Sequence, residues 1–107
     1  MSDVTFHTAA KCSQIDEDEA TQVLVEGKEI AVINLGGDFY AMDDICSHAY
    51  ASMSDGYIEG ECIECPLHGA QFNIKTGKAE TAPATVDLKT YEVKIDGDDI
   101  LIGLSNS

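Results

Sequence analysis

The sequence predicts an all-β protein, and three features of its patterning support this. Short runs rich in β-branched and aromatic residues alternate with turn residues along the whole chain. Near the C-terminus, apolar and polar residues alternate over Thr90–Ile95 and again over Ile100–Leu104, as in strands with one buried face. No window carries a 3.6-residue apolar stripe longer than two turns. We therefore expect a small antiparallel sandwich or barrel of short strands.

The first half of the chain predicts an edge strand followed by a hairpin. Thr5–Thr8 alternates weakly and is typical of an edge strand. The acidic segment Asp16–Ala20 indicates a turn or a short helical excursion. Glu26-Gly27-Lys28 then predicts a hairpin that joins strands at Thr21–Val25 and Glu29–Leu35.

The rest of the chain continues the same alternation of strands and turns. In chain order, further strands are predicted at 38–42, 57–58, 71–74, 90–95 and 100–104. Turn residues separate the strands at 36–37, 54–56, 75–77 and 96–99. Since no repeat or linker interrupts this pattern, residues 1–107 are predicted to form one domain.

The composition indicates the compartment. The segment from Met1 to Val4 lacks the cationic end and apolar run of a signal peptide. No stretch of 18 apolar residues is present to cross a membrane. We therefore expect a cytoplasmic protein, in which cysteines serve metal or redox chemistry more often than disulfides.

The charge balance excludes nucleic acid as a partner. Twenty acidic residues against six Lys and no Arg give a formal net charge of −14, and phosphate binding needs a cationic surface. An acidic surface can steer a basic protein partner. Glu59, Glu61 and Glu64 are the candidate docking acids because they are close to Cys65, whereas Asp16–Glu19 are interpreted as solubilising.

Two short motifs carry the candidate metal ligands. Cys46-Ser47-His48 and Cys65-Pro66-Leu67-His68 each pair one thiol with one imidazole, and 16 residues separate them. Both motifs fall in loops flanked by strands, so a rigid sheet can present the four side chains to one point. A set of two sulfur and two nitrogen ligands suits either zinc or an iron–sulfur centre.

The sequence around these candidate ligands resembles that of the Rieske ferredoxins of bacterial ring-hydroxylating dioxygenase systems. The resemblance rests on Cys46-Ser47-His48-Ala49 and on Cys65-Pro66-Leu67-His68-Gly69-Ala70-Gln71-Phe72. It extends to Met53–Tyr57, to Thr76–Ala79 and to Ala82-Pro83-Ala84, which resembles the third loop that shields the cluster.

The resemblance implies one Rieske-type [2Fe–2S] cluster per chain, at one end of the fold. In that family two Cys hold one iron and two His hold the other, so Cys46 and Cys65 correspond to the buried iron and His48 and His68 to the outer iron. It further implies a monomeric, non-catalytic carrier. Such a carrier passes single electrons from a NAD(P)H-dependent flavoprotein reductase to a terminal oxygenase in aromatic ring dihydroxylation.

The sequence departs from the Rieske proteins of respiratory complexes in ways that affect the potential. The disulfide positions of those proteins are Ala51 and Leu67 here, and the Ser that donates a hydroxyl to a cluster sulfide is Ala70. Fewer hydrogen bonds to sulfur stabilise the reduced state less. We expect a potential near the low end of the Rieske range, roughly −150 mV.

Two alternatives stay open on the sequence alone. The first is a zinc-stabilised interaction module built on the same four ligands, without a redox role. The second is a Rieske-like small subunit of a larger reductase, such as a nitrite reductase. Cys12 and Cys62 are interpreted as small buried or half-buried residues without chemistry, and His7 as a surface or satisfied core histidine. Tyr40, Tyr50, Tyr57 and Tyr91 are interpreted as packing residues.

Overall fold

The computed structural model describes residues 4–45, 51–66, 69–80 and 87–105. The described part contains nine strands, two short 3₁₀ turns and no α-helix, and this confirms the all-β prediction. The strands are β1 Val4–Lys11, β2 Glu19–Val25, β3 Lys28–Leu35, β4 Asp38–Asp43, β5 Tyr57–Glu59, β6 Cys62–Glu64, β7 Gln71–Asn73, β8 Thr90–Asp96 and β9 Asp99–Ser105. No helix in these ranges has the length and apolar character needed to cross a membrane.

The strands form two antiparallel sheets. One has six strands in the order β1-β9-β8-β4-β3-β2, and the other has three in the order β5-β6-β7. The two edge strands of the larger sheet, β1 and β2, also contact each other. The larger sheet therefore curls towards a barrel, as expected, and β1 is an edge strand as predicted.

Tight turns set the register of the hairpins. Glu26 and Gly27, with φ of 51° and 80°, join β2 to β3, and Gly36 and Gly37, with φ of 61° and 101°, join β3 to β4. Positive φ at both central residues is what a two-residue hairpin turn needs, because its twist then matches that of the strands. Both turns lie where the sequence predicts them.

Strand β3 links the two halves of the core because both of its faces are buried. Ile30 and Val32 pack in the curl of the larger sheet with residues of β9. Ala31 and Ile33 face the opposite way and pack with residues of the small sheet, including Phe72. An uninterrupted apolar run is the pattern expected for a strand covered on both sides.

The acidic segment Asp16–Ala20 contains a turn, as predicted, in which the Glu19 N–H donates to the Asp16 carbonyl oxygen at 3.2 Å. A short helical turn that the sequence does not predict precedes it at Cys12–Gln14. Two further features differ from the predictions. Strand β6 is not predicted, since Cys62–Glu64 is too short to show alternation. Tyr57 is 68% exposed and is not a packing residue.

The close approach between Gly56 and β6 generates a prediction. A Cβ at Gly56 would lie 2.1 Å from the Glu64 carbonyl oxygen, although its φ of −82° suits any residue. Gly56→Ala must shift the backbone, and we expect it to lower the free energy of unfolding by about 3 kcal/mol. Denaturant unfolding measures this change.

Gly60→Ala is the matched control within the same small sheet. Nothing lies within 4 Å of a Cβ built at Gly60, so the substitution meets only the strain of a φ of 61°. That strain costs about 1 kcal/mol. Equal losses in the two variants would contradict the interpretation that the contact with Glu64 decides the effect.

Candidate metal centre

One of the four predicted ligands lies among the described residues, and three do not. Cys46, His48 and His68 lie outside them, as does Tyr50. Cys65 is described and is 1% exposed, at the end of β6. The geometry of the candidate centre therefore comes from Cys65 and from the residues at which each ligand segment leaves and rejoins the sheets.

The second ligand segment is closed at its base by a backbone hydrogen bond. The Cys65 N–H donates to the Ala70 carbonyl oxygen at 2.7 Å. This bond extends the β6–β7 ladder by one pair and brings the two ends of the second ligand segment together. Gly69 has a φ of 71°, a conformation that glycine adopts without steric cost.

The first ligand segment is closed in the same way. Ile45 and Ser52 form an isolated antiparallel bridge, and the Met53 N–H donates to the Asp44 carbonyl oxygen at 2.5 Å. Cys46 and His48 lie in the chain between these closing contacts.

The bases of the two segments are neighbours in space. Met53, which follows the first segment, packs in the same apolar cluster as Cys65 and Ala70. Gly56 approaches β6 so closely that a Cβ there would meet Glu64, the residue before Cys65. The first segment leaves β4 of the larger sheet and the second leaves β6, and their bases adjoin at one end of the small sheet.

The predicted shielding segment also starts at this end. Ala82-Pro83-Ala84 lies outside the described residues. On its N-terminal side, the Glu80 N–H donates to the Gln71 carbonyl oxygen at 2.8 Å. On its C-terminal side, the Asp87 carboxylate accepts from the Ala79 N–H at 2.9 Å. Asp87 thus holds the two ends of this segment beside β7.

The donor chemistry at this end fits an iron–sulfur centre. Cys65 supplies a thiol that is buried among apolar side chains, where a metal-bound thiolate is shielded from water. At Gly69, the nearest atom to a built Cβ would be a carboxylate oxygen of Glu64, at 3.9 Å. The pairing of one Cys with one His in each loop matches the Cys₂His₂ set that divides two irons between sulfur and nitrogen.

Of the remaining candidates, Cys12 packs against the apolar cluster inside the larger sheet and His7 lies in β1. Cys62 precedes Cys65 by three positions, and its side chain lies on the opposite, outer face of the small sheet, half-buried. Burial, followed by the charges of Glu80, Glu61 and Glu59, raises the pKa of the Cys62 thiol. A protonated thiol is a weak nucleophile and ligand, which argues against a dithiol redox pair formed by Cys62 and Cys65.

The sequence gives no signal for one residue at this centre. Asp44 is fully buried beside the base of the first loop. Its Oδ1 accepts from the Ser54 N–H at 2.9 Å, and its Oδ2 accepts from the Gln22 amide at 2.6 Å. Nothing in the local pattern distinguishes it from Asp43, which is half-buried and accepts a hydrogen bond from the Tyr91 hydroxyl.

Known proteins are similar to this chain in sequence and fold. The family described as the Rieske [2Fe-2S] domain matches residues 5–92. The ferredoxin component of the naphthalene 1,2-dioxygenase system of Pseudomonas putida is 50% identical over 102 residues, which are 95% of this chain and 98% of that protein.

Two solved structures extend the similarity to the backbone. The Sphingomonas yanoikuyae B1 ferredoxin has a TM-score of 0.88 at 33% identity and covers 94% of this chain and 99% of its own. A ferredoxin from a complex of reduced oxygenase and oxidised ferredoxin in carbazole 1,9a-dioxygenase has a TM-score of 0.85 at 34% identity. It covers 91% of each chain.

The burial of Ala70 generates a prediction about the reduction potential. Ala70 follows His68 by two residues and is fully buried, and its methyl group offers no hydrogen bond to sulfur. Ala70→Ser adds a hydroxyl donor that stabilises the reduced state by about 1 kcal/mol. We expect the midpoint potential to rise by roughly 40 mV from a low starting value, as measured by redox titration.

The control is Ala79→Ser, which introduces the same hydroxyl beside Phe72 on the other side of β7. We expect that variant to keep the potential of the unaltered protein. A potential of the unaltered protein well above zero, or equal shifts in both variants, would contradict the hydrogen-bond argument.

Proposed function

The chain belongs to the Rieske [2Fe-2S] domain family and is an electron carrier, and we propose that it connects a NAD(P)H-dependent flavoprotein reductase to a terminal oxygenase. The oxygenase dihydroxylates an aromatic ring. The observation that carries the proposal is the match to a dioxygenase ferredoxin component over nearly the full length of both chains. The chain itself carries electrons and does not catalyse the hydroxylation.

We propose Cys46, His48, Cys65 and His68 as the ligands of the cluster. The thiolates of Cys46 and Cys65 hold one iron, and the imidazoles of His48 and His68 hold the other. The burial of Cys65 supports an inner position for the sulfur-bound iron. The cluster supplies the one-electron chemistry, and the protein holds the ligands in place and shields the inner side from water.

The partners are proposed from the dioxygenase relatives. The ferredoxin of carbazole 1,9a-dioxygenase, solved in a complex with the oxygenase, supports an oxygenase as the terminal partner. We infer that this chain acts as a monomer in the cytoplasm, where NAD(P)H is available to the reductase. The aromatic substrate is chosen by the oxygenase, because an electron carrier makes no contact with it.

We propose the outer face of the small sheet as the docking surface. The registers place Tyr57 opposite Glu64 and Glu64 opposite Gln71, and Glu80 follows beside Gln71. These four residues, here called the acidic row, adjoin Cys65 and Ala70. Tyr57 is the one large aromatic side chain among the described residues that is mostly exposed, and the row combines it with two carboxylates.

The charge of this row suits a cationic partner surface. Of the lysines, Lys75 pairs with Glu61 at 3.2 Å, and none forms an ion pair with Glu64 or Glu80 among the described residues. Uncompensated carboxylates beside an electron-transfer centre raise the rate of encounter with a basic partner.

Removing either imidazole ligand tests the assignment of the cluster. His48→Ala and His68→Ala each delete a proposed ligand, and we expect loss of the visible absorption and of the EPR signal after dithionite reduction. His7→Ala is the control, because His7 lies in β1 near Glu26 and should leave both signals intact. A single zinc per chain without acid-labile sulfide would instead favour the zinc module.

The same variants test the electron-carrier role. The unaltered chain is added to the reductase and oxygenase of the naphthalene 1,2-dioxygenase system in place of that system's own ferredoxin. We expect NADH-dependent product formation with the unaltered chain and with His7→Ala, and none with either ligand variant. Cluster-loaded protein that the reductase never reduces would contradict the proposed role.

Neutralising the acidic row tests the docking surface. The double variant Glu64→Gln and Glu80→Gln should slow reduction by the reductase roughly 10-fold at low ionic strength, as measured by stopped-flow absorbance. The effect should fade as salt screens the charges.

The control for this test is the double variant Asp16→Asn and Glu17→Gln. These exposed acids lie near the Gly36-Gly37 turn, at the opposite end of β3 from Asp43 and the first ligand loop. The control removes the same charge but should leave the rate almost unchanged. Equal slowing in both double variants would mean that overall charge, and not the acidic row, governs the encounter.

A further inference from the structure

The base of the first ligand loop contains a buried carboxylate that the electron-carrier role does not explain. Asp44 has no exposed surface, and it is the one fully buried carboxylate in the described part of the chain. It precedes Cys46 by two residues. Burying a carboxylate is costly unless other groups satisfy it, so its position calls for a function.

Asp44 bonds to both ends of the first ligand loop and to the sheet behind it. Its backbone N–H donates to the Glu29 carbonyl oxygen at 3.1 Å, and its carbonyl oxygen accepts from the Met53 N–H. Its Oδ1 accepts from the Ser54 N–H at 2.9 Å. The side chain thus continues the closing contacts between Ile45 and Ser52 by two further residues.

The other carboxylate oxygen is also satisfied by a neutral donor. Oδ2 accepts from the Gln22 amide at 2.6 Å, and the same amide nitrogen donates to the Glu29 carboxylate at 3.2 Å. Both oxygens of Asp44 act as acceptors, which is the arrangement that the ionised form requires. Glu29 adds a second negative charge close by.

No lysine neutralises Asp44. The chain has six Lys and no Arg, and all six Lys lie among the described residues. The ion pairs found in those ranges join His7 to Glu26, Lys11 to Asp99, and Lys75 to Glu61. The charge of Asp44 is therefore held by hydrogen bonds from neutral groups alone within the described part of the molecule.

We propose that Asp44 is a positioning residue for the first ligand loop and that its buried charge lowers the reduction potential of the cluster. The loop role follows from its bonds to Met53 and Ser54 on the far side of the ligands. The redox role follows because an uncompensated negative charge in a poorly solvated region opposes the addition of an electron nearby. Water screens exposed acids such as Asp55, and their effect on the potential is small.

Asp44→Asn tests the redox role because it removes the charge and keeps the shape. The amide oxygen can still accept from the Ser54 N–H, and the amide nitrogen can donate to a rotated Gln22. We expect the variant to load its cluster. Its reduction equilibrium constant should rise about 10-fold, equivalent to ~59 mV for one electron, in a redox titration of the purified full-length protein.

Two further variants define the outcome. Asp55→Asn removes an exposed charge near the same loop and should leave the potential unchanged. Gln22→Met removes a donor to Asp44 from an exposed position on β2, so it should lower the equilibrium constant about threefold, or roughly 30 mV. Potential shifts of opposite sign in Asp44→Asn and Gln22→Met support the redox role. Equal potentials in Asp44→Asn and Asp55→Asn overturn it. Should Asp44→Asn lose its cluster, an unchanged potential in Gln22→Met overturns it instead.

Asp44→Ala tests the positioning role. It leaves the Ser54 N–H without its acceptor, so we expect the cluster to be retained about 10-fold less well against an iron chelator. Asp44→Asn should restore retention. Equal retention in Asp44→Ala and the unaltered protein overturns the positioning role. Neither experiment uses a reductase or an oxygenase, so failure here and failure of the proposed partners are distinguishable.

Discussion

The candidate centre depends on one constraint: the proposed ligands come from two separate segments of the chain and must meet at one point. Backbone pairing at the base of each loop meets this constraint. The Cys65–Ala70 hydrogen bond continues the β6–β7 ladder, and the Ile45–Ser52 bridge closes the first loop. Because the ends of both loops are already fixed in sheet structure, each loop loses less conformational entropy when it becomes ordered.

Strand β3 links the bases of the two loops to both apolar clusters of the core. One of its faces packs inside the curled sheet and the other packs against the small sheet. The apolar cluster on the second face includes Met53, which follows the first loop, and Cys65, which begins the second loop. A core substitution on that face therefore reaches both loops at once, whereas a substitution on the first face acts mainly on the curled sheet.

The parts that the sequence predicts are those with a local cause. The hairpin at Glu26-Gly27 and the alternation in β9 are determined by residues close together in the chain, and both agree with the structure. Strand β6 and the burial of Asp44 depend on partners distant in sequence, so no local pattern reveals them. The four proposed ligands come from spacing and family resemblance. The described part of the molecule contains Cys65 and the residues that close the two loops at their bases.

The distribution of acidic residues separates two electrostatic effects that a net charge of −14 conceals. Exposed carboxylates face water and mobile ions, so beyond about 10 Å at moderate salt their fields are largely screened. They act on the approach of another protein and hardly on the energy of an internal electron. A buried carboxylate such as Asp44 is screened much less, and it acts on that energy without touching a partner. Encounter rate and reduction potential can therefore be changed independently in this fold, by substitutions beside the second loop for the encounter rate and at the base of the first loop for the potential.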